Sequence, residues 1–589
     1  MPSKAPKEFS TQAAPKNEDE KRHPWGKWPP DIIPSHPTNN SILDRKPLKR
    51  ELKAKMAKAI KDAITPYPKP AGLVYDDQGL DHVVFTVGLM AALRSKKCDG
   101  AVIGVMITAS HNPAEDNGVK IVDPAGEMLE ASWEVHATTL ANLENDQVAK
   151  GYEDAFNVLL ADAITDMRNQ KSRVVFARDS RESGPHLVAA LKAALIAVDV
   201  EFQDYGYLTT PQLHYMVRCH NYLKSPQYYF GKPTEEGYYE KMADSFKKVI
   251  SGRTIKGSLT VDCANGIGGP KLRQLLKYLP SAKDGGIDIK VINDDVITPT
   301  ALNHDCGADY VKTRQRAPPS SKAGPLERCC SLDGDADRVV YYFVDDRGVF
   351  TLLDGDRIAT LAALFIAEQV RAAGLEGLQI GVVQTAYANG ASTEYINKVL
   401  KLDVECASTG VKHLHAAAHR FDIGVYFEAN GHGTVLFSDE TIQRLKTTSP
   451  TSPTRKHALE TLVALTDLIN QAVGDALSDM LLTEVALAAK SWTPVEWKNT
   501  YIDLPNRLVK VSVADRGIFK TEYGERRLIQ PEGCQEQIDL AVRARQGGRS
   551  FARASGTENA VRVYAEAYNQ EDAESLARQV GKIVEEFGK

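Results

Sequence analysis

The sequence predicts an α/β protein, three similar mixed α/β units in series with a further α/β unit closing the chain. Three observations carry that prediction. Strand-like apolar runs alternate with amphipathic helical stretches from about residue 100 onward. The chain has 589 residues, 43% of them hydrophobic, which is more than a single core supports, so several domains are expected. The alternation also recurs in separate rounds, each long enough to form a unit of its own.

Taken in order, residues 1–41 are rich in Pro, Lys, Glu, Asn and Ser, with Pro24, Pro29, Pro30, Pro34 and Pro37 in the second half, and read as a disordered arm. Trp25, Trp28, Ile32 and Ile33 are the apolar residues by which that arm could dock. A helix is expected after Pro47, to about residue 64. The first round places strands at 100–109 and 173–177, with helices at 132–143 and 188–198. The second has strands at 258–262 and 287–292 around a helix at 271–279, and the third has strands at 339–344 and 380–385 around a helix at 358–373. Residues 446–456, with three Thr, two Ser and two Pro within 447–453, read as an exposed loop. A strongly helical stretch at 457–490, a connector at 492–497 and a closing helix at 571–587 complete the chain. The expected divisions are an arm at 1–41 and domains at 42–214, 215–321, 322–490 and 491–589.

Composition excludes several function classes. A formal net charge of -5 argues against a general nucleic-acid binder, because affinity for a phosphate backbone comes from clustered Lys and Arg. The eight cysteines, Cys98, Cys219, Cys263, Cys306, Cys329, Cys330, Cys406 and Cys534, form no CxxC pairs, so neither a zinc site nor a disulfide framework is indicated. No basic region followed by an apolar stretch and a cleavage site opens the chain, and no segment is apolar for the ~20 residues of a membrane span. A cytoplasmic chain is the expectation, without membrane or nucleic-acid partners.

Two clusters carry chemistry. Ser110 lies in Thr108-Ala109-Ser110-His111-Asn112-Pro113, and Asp333, Asp335 and Asp337 lie in Asp333-Gly334-Asp335-Ala336-Asp337-Arg338. Alone, a serine before His-Asn-Pro is a polar turn. Following the apolar run 102–107, its hydroxyl stands at the exit of a buried strand, where α/β active sites lie, and Asn117-Gly118-Val119-Lys120 adds a turn and a cation. The aspartates do not form a calcium loop of the EF-hand type, because Arg338 and Val344 stand where Gly and Glu are required. Three carboxylates separated by Gly334 and Ala336 can curl around one cation and leave positions for water or phosphate oxygens, as magnesium prefers; a solvated acidic turn is the alternative. An aspartyl-nucleophile phosphatase is a second rival, disfavoured because the strongly apolar run 339–344 follows the aspartates while 327–332 is only mildly apolar.

Two further loops carry polar groups, the first open between two readings and the second favouring phosphate. Glu428-Ala429-Asn430-Gly431-His432 gathers a carboxylate, an amide and an imidazole that suit sugar hydroxyls and an acyl amide, or else forms an ordinary hairpin turn. Arg553-Ala554-Ser555-Gly556-Thr557-Glu558-Asn559, with Arg562 on the following strand, has the makings of an anion nest.

These four segments, in this order, resemble the α-D-phosphohexomutase superfamily and most closely its eukaryotic phosphoacetylglucosamine mutase branch. The resemblance runs from about Leu48 to the C-terminus, with Glu428-Ala429-Asn430-Gly431-His432 as the branch-level signature. It implies four domains around a central active-site cleft, the last a smaller α+β domain. It also implies interconversion of N-acetylglucosamine 6-phosphate and 1-phosphate through a phosphoserine at Ser110 and a sugar bisphosphate, which also acts as activator, feeding UDP-N-acetylglucosamine synthesis. Asp333, Asp335 and Asp337 are then magnesium ligands together with the Ser110 phosphate, one ion per active site. Lys120 and Arg338 correspond to acid/base and phosphate-side cations. Glu428, Asn430 and His432 would grip the sugar, with Lys412 in a further substrate loop, and Arg553, Ser555, Gly556, Thr557 and Arg562 would hold the non-reacting phosphate. One segment departs from the family pattern: Tyr67-Pro68-Lys69-Pro70-Ala71-Gly72-Leu73-Val74 lacks an expected arginine, for which Lys69 is a candidate substitute. That gap motivates a non-catalytic phosphosugar sensor as one alternative; a glucose or mannose phosphomutase is the other.

Overall fold

Three central sheets share one strand order, and this repetition positions the site. The computed structural model describes residues 50–70, 79–159, 171–223, 229–556 and 558–589. The expected arm at 1–41, the segment Ala71-Gly72-Leu73-Val74 and Thr557 lie outside the described residues. The first sheet contains β1 (Val102–Ile107), β2 (Val119–Val122), β3 (Arg173–Arg178) and β4 (Glu201–Tyr207) in the order β2-β1-β3-β4. The second contains β5 (Ser258–Asp262), β6 (Asp288–Ile292), β7 (Arg328–Leu332), β8 (Val339–Val344) and β9 (Phe350–Leu353) in the order β6-β5-β7-β8-β9. The third contains β10 (Ile380–Thr385), β11 (Asp403–Ala407), β12 (Ile423–Phe427) and β13 (Gly433–Phe437) in the order β11-β10-β12-β13. Each puts its first strand between its second and third, with a parallel central pair. The antiparallel partner follows the first strand in the first sheet and the third strand in the other two.

Burial on both faces explains why these strands read as continuous apolar runs. All six residues of β1 are buried: Ile103, Val105 and Ile107 face a core belonging to the first domain, while Val102 and Met106 face a larger core that extends through the second and third sheets. The chain closes with β14 (Asn506–Ser512), the hairpin of β15 (Lys520–Glu522) and β16 (Arg527–Gln530), and then β17 (Arg549–Ala554) and β18 (Ala560–Glu566). The antiparallel sheet β14-β18-β17 packs with helices Cys534–Arg543 and Gln570–Phe587 around its own small core, the expected α+β unit. Among the described residues no helix is long and apolar enough to cross a membrane.

Several expectations are corrected. The division expected between 214 and 215 falls inside helix Thr210–Tyr222, whose start is fixed by a capping box of Thr209 and Gln212. The division expected between 321 and 322 falls inside the second sheet, since β7, after that point, pairs with β5 before it, and β8 pairs in turn with β7; the aspartates therefore sit on the second sheet rather than the third. The turn-rich stretch around Pro318 and Pro319 links a helix to a strand within one unit. The connector at 492–497 contains a helical turn, Pro494–Lys498, which buries Trp497. The polar loop at 446–456 shrinks to five residues between helices Asp439–Thr447 and Pro453–Leu468. The mildly apolar stretch before the aspartates is the fully buried β7. Its polar residues find partners: Arg328 pairs with Glu484 at 3.1 Å, and Ser331 donates to Asp262 at 2.6 Å. A strand thus both precedes and follows the aspartates, and topology does not separate this loop from that of an aspartyl phosphatase.

Candidate active site

Ser110 is held in place by its own loop. Past the end of β1, Thr108 donates to Asp179 at 2.7 Å and accepts the Ser110 backbone N–H at 3.0 Å. Ser110 has a left-handed backbone, φ 53°, a conformation a non-glycine residue keeps only where its surroundings enforce it. Two buried or half-buried donors do so. Arg181 Nη2 reaches the carbonyls of Ser110 at 3.0 Å and Asn112 at 3.1 Å, and Asn303 Nδ2 reaches the same two at 3.0 and 2.9 Å. Arg181 is itself fixed by Asp179 at 3.0 Å.

The aspartate loop closes onto this serine from 223 residues away in sequence: Ser110 Oγ donates to Asp333 Oδ2 at 2.6 Å. Gly334 permits the approach, because a Cβ there would stand 2.5 Å from the Ser110 carbonyl oxygen. Asp333 Oδ1 accepts the backbone N–H groups of Asp337 and Arg338 at 3.1 and 3.2 Å. Lys120 Nζ lies 3.0 Å from both Asp335 Oδ2 and Asp337 Oδ2, Thr210 donates to Asp335 at 2.6 Å, and His432 Nδ1 is 3.2 Å from Asp337 Oδ1. Arg338 Nε stands 3.7 Å from both Asp333 Oδ2 and Asp337 Oδ1.

One oxygen from each aspartate lies within 4.8 Å of the others, all three side chains are buried, and Asp335 Oδ1 has no hydrogen-bond partner among the described residues. Burial, then the charges of Asp337 and Asp335, push the Asp333 carboxyl well above its usual range. Burial acts on Asp337 in the same direction, but Lys120 and His432 outweigh it and hold that carboxyl well below. Lys120 is raised for the reciprocal reason, the two aspartates outweighing its own desolvation. Crowded carboxylates with an unsatisfied inward oxygen fit a hard divalent cation.

The sugar-loop candidates join this cluster through His432. Glu428, Asn430 and His432 form one turn: Asn430 Nδ2 donates to Glu428 at 3.2 Å, and the His432 N–H to Asn430 Oδ1 at 3.0 Å. The turn rests on β8, where Val339 N–H donates to the Gly431 carbonyl at 3.2 Å, next to Arg338. Lys412 points elsewhere, donating to the Leu129 carbonyl at 2.9 Å and pairing with Glu134. Arg553 pairs with Glu525 at 3.2 Å, a carboxylate that also accepts the Thr409 N–H at 3.0 Å, and Arg562 pairs with Glu558 at 2.7 Å. The Ser555 carbonyl accepts from Arg516 at 2.9 Å, and Gly556 is exposed with open space about it. The anion-loop arginines thus rest on carboxylates of the C-terminal domain.

Sequence reasoning missed Arg181, Asn303, Thr210 and Lys312. Asp179-Ser180-Arg181 carried a usable signal, since it leaves β3 as Ser110 leaves the neighbouring β1. Lys312 is a half-buried amine lowered by desolvation despite the facing charges of Asp354, Asp356 and Glu428. Lys69, the expected stand-in for the missing arginine, is engaged with the Asn142 carbonyl and Glu144, both at 2.8 Å.

Comparison with known proteins decides the family. Family models match along the chain: phosphoglucomutase/phosphomannomutase alpha/beta/alpha domain I at 74–146 and 145–225, phosphoacetylglucosamine mutase AMG1 domain II at 232–340 and domain III at 354–492, and the phosphoglucomutase/phosphomannomutase C-terminal domain at 508–583. Phosphoacetylglucosamine mutase of Candida albicans is 47% identical, covering 88% of this chain and 97% of its own length. The chain belongs to the phosphoacetylglucosamine mutase family. The human phosphoacetylglucosamine mutase is 48% identical over 89% of this chain and 96% of its own. A crystal structure of the Aspergillus fumigatus N-acetylphosphoglucosamine mutase in complex with GlcNAc-6P and magnesium is 59% identical, with TM-score 0.86, covering 91% of this chain and 99% of that one. Membership of this family accounts for the four-domain α/β architecture and for the aspartate and sugar loops that meet beside Ser110.

Proposed function

We propose that this chain is a phosphoacetylglucosamine mutase that interconverts N-acetylglucosamine 6-phosphate and 1-phosphate through a phosphate carried on Ser110. The observation that carries the reading is the 2.6 Å contact between Ser110 Oγ and Asp333, in a chain of this family. In the forward direction the Ser110 O–P bond breaks as an O–P bond forms to the sugar 1-hydroxyl, and the proton that hydroxyl gives up replaces the one that the freed serine oxygen takes from Lys120. Lys120, which lies 3.0 Å from Asp335 and Asp337 beside the serine's own partner Asp333 in the same loop, is the proton carrier in this reading and faces the phosphate charge. The 1,6-bisphosphate turns around and returns its 6-phosphoryl to Ser110, leaving the 1-phosphate; added sugar bisphosphate then acts as activator by rephosphorylating idle serines. Asp333, Asp335 and Asp337 would hold magnesium, which supplies neutralisation of the charge around the transferring phosphoryl.

Glu428, Asn430 and His432 bind sugar hydroxyls and the acetamido group in this reading, and Arg338 faces the reacting phosphate. Arg553, Ser555, Gly556, Thr557 and Arg562 take the other phosphate in this reading, and Lys412, on the helix Val411–Ala418, would join them only by leaving Leu129 and Glu134; one anion site serves both orientations because it reads charge rather than a carbon position. Arg181 and Asn303 are positioning residues that fix the serine through its loop carbonyls. Ser110→Ala should abolish turnover in a coupled assay containing N-acetylglucosamine 6-phosphate, magnesium and a trace of sugar bisphosphate. Intact mass should reveal one phosphate on the wild type and none on the variant; retained turnover would sink the mechanism. Comparing glucose and N-acetylglucosamine phosphates tests the acetamido contact against a phosphoglucomutase preference.

A further inference from the structure

A second set of metal-ligating side chains lies away from the aspartates, where the first domain meets the third. Glu127 follows β2 on a turn closed by the Asp123 and Glu127 backbones at 2.8 Å, and Asp123 is clamped by Arg94 through two hydrogen bonds of 2.8 and 2.7 Å. His415 and His419 stand one turn apart, on and just beyond the helix Val411–Ala418, so both rings leave the same face. Glu127 Oε1 is 3.4 Å from His415 Nε2 and 3.3 Å from His419 Nε2, and the two Nε2 atoms are 3.1 Å apart.

We propose that Glu127, His415 and His419 bind one transition-metal ion of the zinc type, bridging the first and third domains. Zinc lies about 2.0–2.2 Å from imidazole nitrogen and carboxylate oxygen, so neighbouring ligand atoms around it stand about 3.3–3.6 Å apart in tetrahedral geometry and about 2.8–3.1 Å in octahedral geometry. The three observed separations fall across those windows. Hydrogen bonding alone serves the cluster poorly. With one proton between the rings, one contact to Glu127 sets a lone pair against the carboxylate; with a proton on each Nε2, both rings donate to the one Glu127 oxygen at long distances of 3.4 and 3.3 Å while the two donor nitrogens stand 3.1 Å apart. One cation satisfies all three atoms together.

An outer partner is in place as well. His415 Nδ1 lies 2.9 Å from the Tyr426 hydroxyl, an arrangement that fixes the ring and leaves Nε2 for the ion. Two imidazoles and one carboxylate select zinc, iron, cobalt or nickel over magnesium, so this site differs in preference from the three aspartates. His419 is 36% exposed, which gives an ion access and leaves the remaining positions to water. The helix that carries the histidines also carries Lys412, already bonded to Leu129 of the first domain, so a bound ion would hold that helix against the same neighbour. The inference does not rest on the mutase reading.

The test is a Zn2+ titration of the chelator-stripped full chain in excess Mg2+, which keeps the aspartate site occupied, with the d–d absorption of Co2+ reporting imidazole ligation. The wild type should retain one equivalent that Mg2+ does not displace. His419→Gln and Glu127→Gln should each weaken it by more than the roughly 10–100-fold that losing an outer partner costs. His419→Gln, at the partly exposed position, decides the matter if Glu127→Gln does not fold. A wild type without a Mg2+-resistant equivalent, or equal binding by His419→Gln, overturns the proposal. Magnesium-dependent turnover in the same preparations reports the aspartate site separately.

Discussion

The aspartate loop and the Glu127-His415-His419 cluster gather metal-ligating atoms in opposite ways. The first takes three carboxylates from five consecutive residues and brings cations to them, Lys120 from β2 and Arg338 from its own end. The second takes one carboxylate and two imidazoles from two domains and needs the fold to exist before it does. One loop can be read as a cation site because its spacing alone forces the charges together. The other consists of a glutamate on a turn and two histidines on a helix, each unremarked until the domains meet. The difference also sets the ligand: three hard carboxylates with a serine oxygen suit magnesium, and a mixed nitrogen and oxygen set suits a softer ion.

The largest effect should come from the aspartates. Asp335→Asn should lower kcat by about ten-thousandfold, the several kcal/mol of charge stabilisation a bound ion supplies, and raise the Mg2+ needed for half-maximal rate. It should also leave thermal stability unchanged or higher, because one of three crowded charges is gone. Steady-state assays across a Mg2+ series with parallel melting curves check this, and near-normal turnover would break the contrast drawn here.

Next in size is Arg94→Ala. It leaves the Asp123 carboxylate buried and unpaired beneath the Glu127 turn, at a cost of about 3–5 kcal/mol in stability measured by denaturant titration. If the two clusters are independent, the variant should lose the Mg2+-resistant zinc equivalent while turnover per folded molecule persists.

The smallest effect concerns a buried carboxylate that uses neither cation. Asp475 caps helix Ala476–Lys490 and accepts from Tyr238 and Asn470, yet burial still pushes its carboxyl up to about 6 from the usual 3.8. Because the folded value is the higher one, its favourable contribution is complete below about pH 4 and is lost as pH rises through about 6, on the order of 2–3 kcal/mol. Asp475→Asn keeps a capping side chain and should flatten that part of the stability profile. Melting temperatures between pH 4 and 7 decide it, and an unchanged slope would show that hydrogen bonds alone offset its burial.

Much of this molecule was legible before folding. The runs that became β1, β8 and β10 and the helix Gly355–Ala373 announce themselves by period and length. The strand β7 does not, because Arg328 and Ser331 look polar until Glu484 and Asp262 are found beside them. Two domain divisions fell inside units, one within helix Thr210–Tyr222 and one between strands of a single sheet, since composition does not say which strand the next one pairs with. In the site, Ser110 and the aspartates were readable as dense local chemistry, whereas Arg181 and Asn303 act by donating to carbonyls, and any arginine or asparagine could do so.

The amino-acid order by itself determined which groups the protein has for phosphate and metal chemistry, and in which compact loops, because neighbours in the chain cannot avoid one another. Only the tertiary structure decided which loops meet. It set Ser110 against Asp333, His432 against Asp337 and Glu127 between two histidines, because contacts between distant segments follow from how sheets and helices bury their apolar faces.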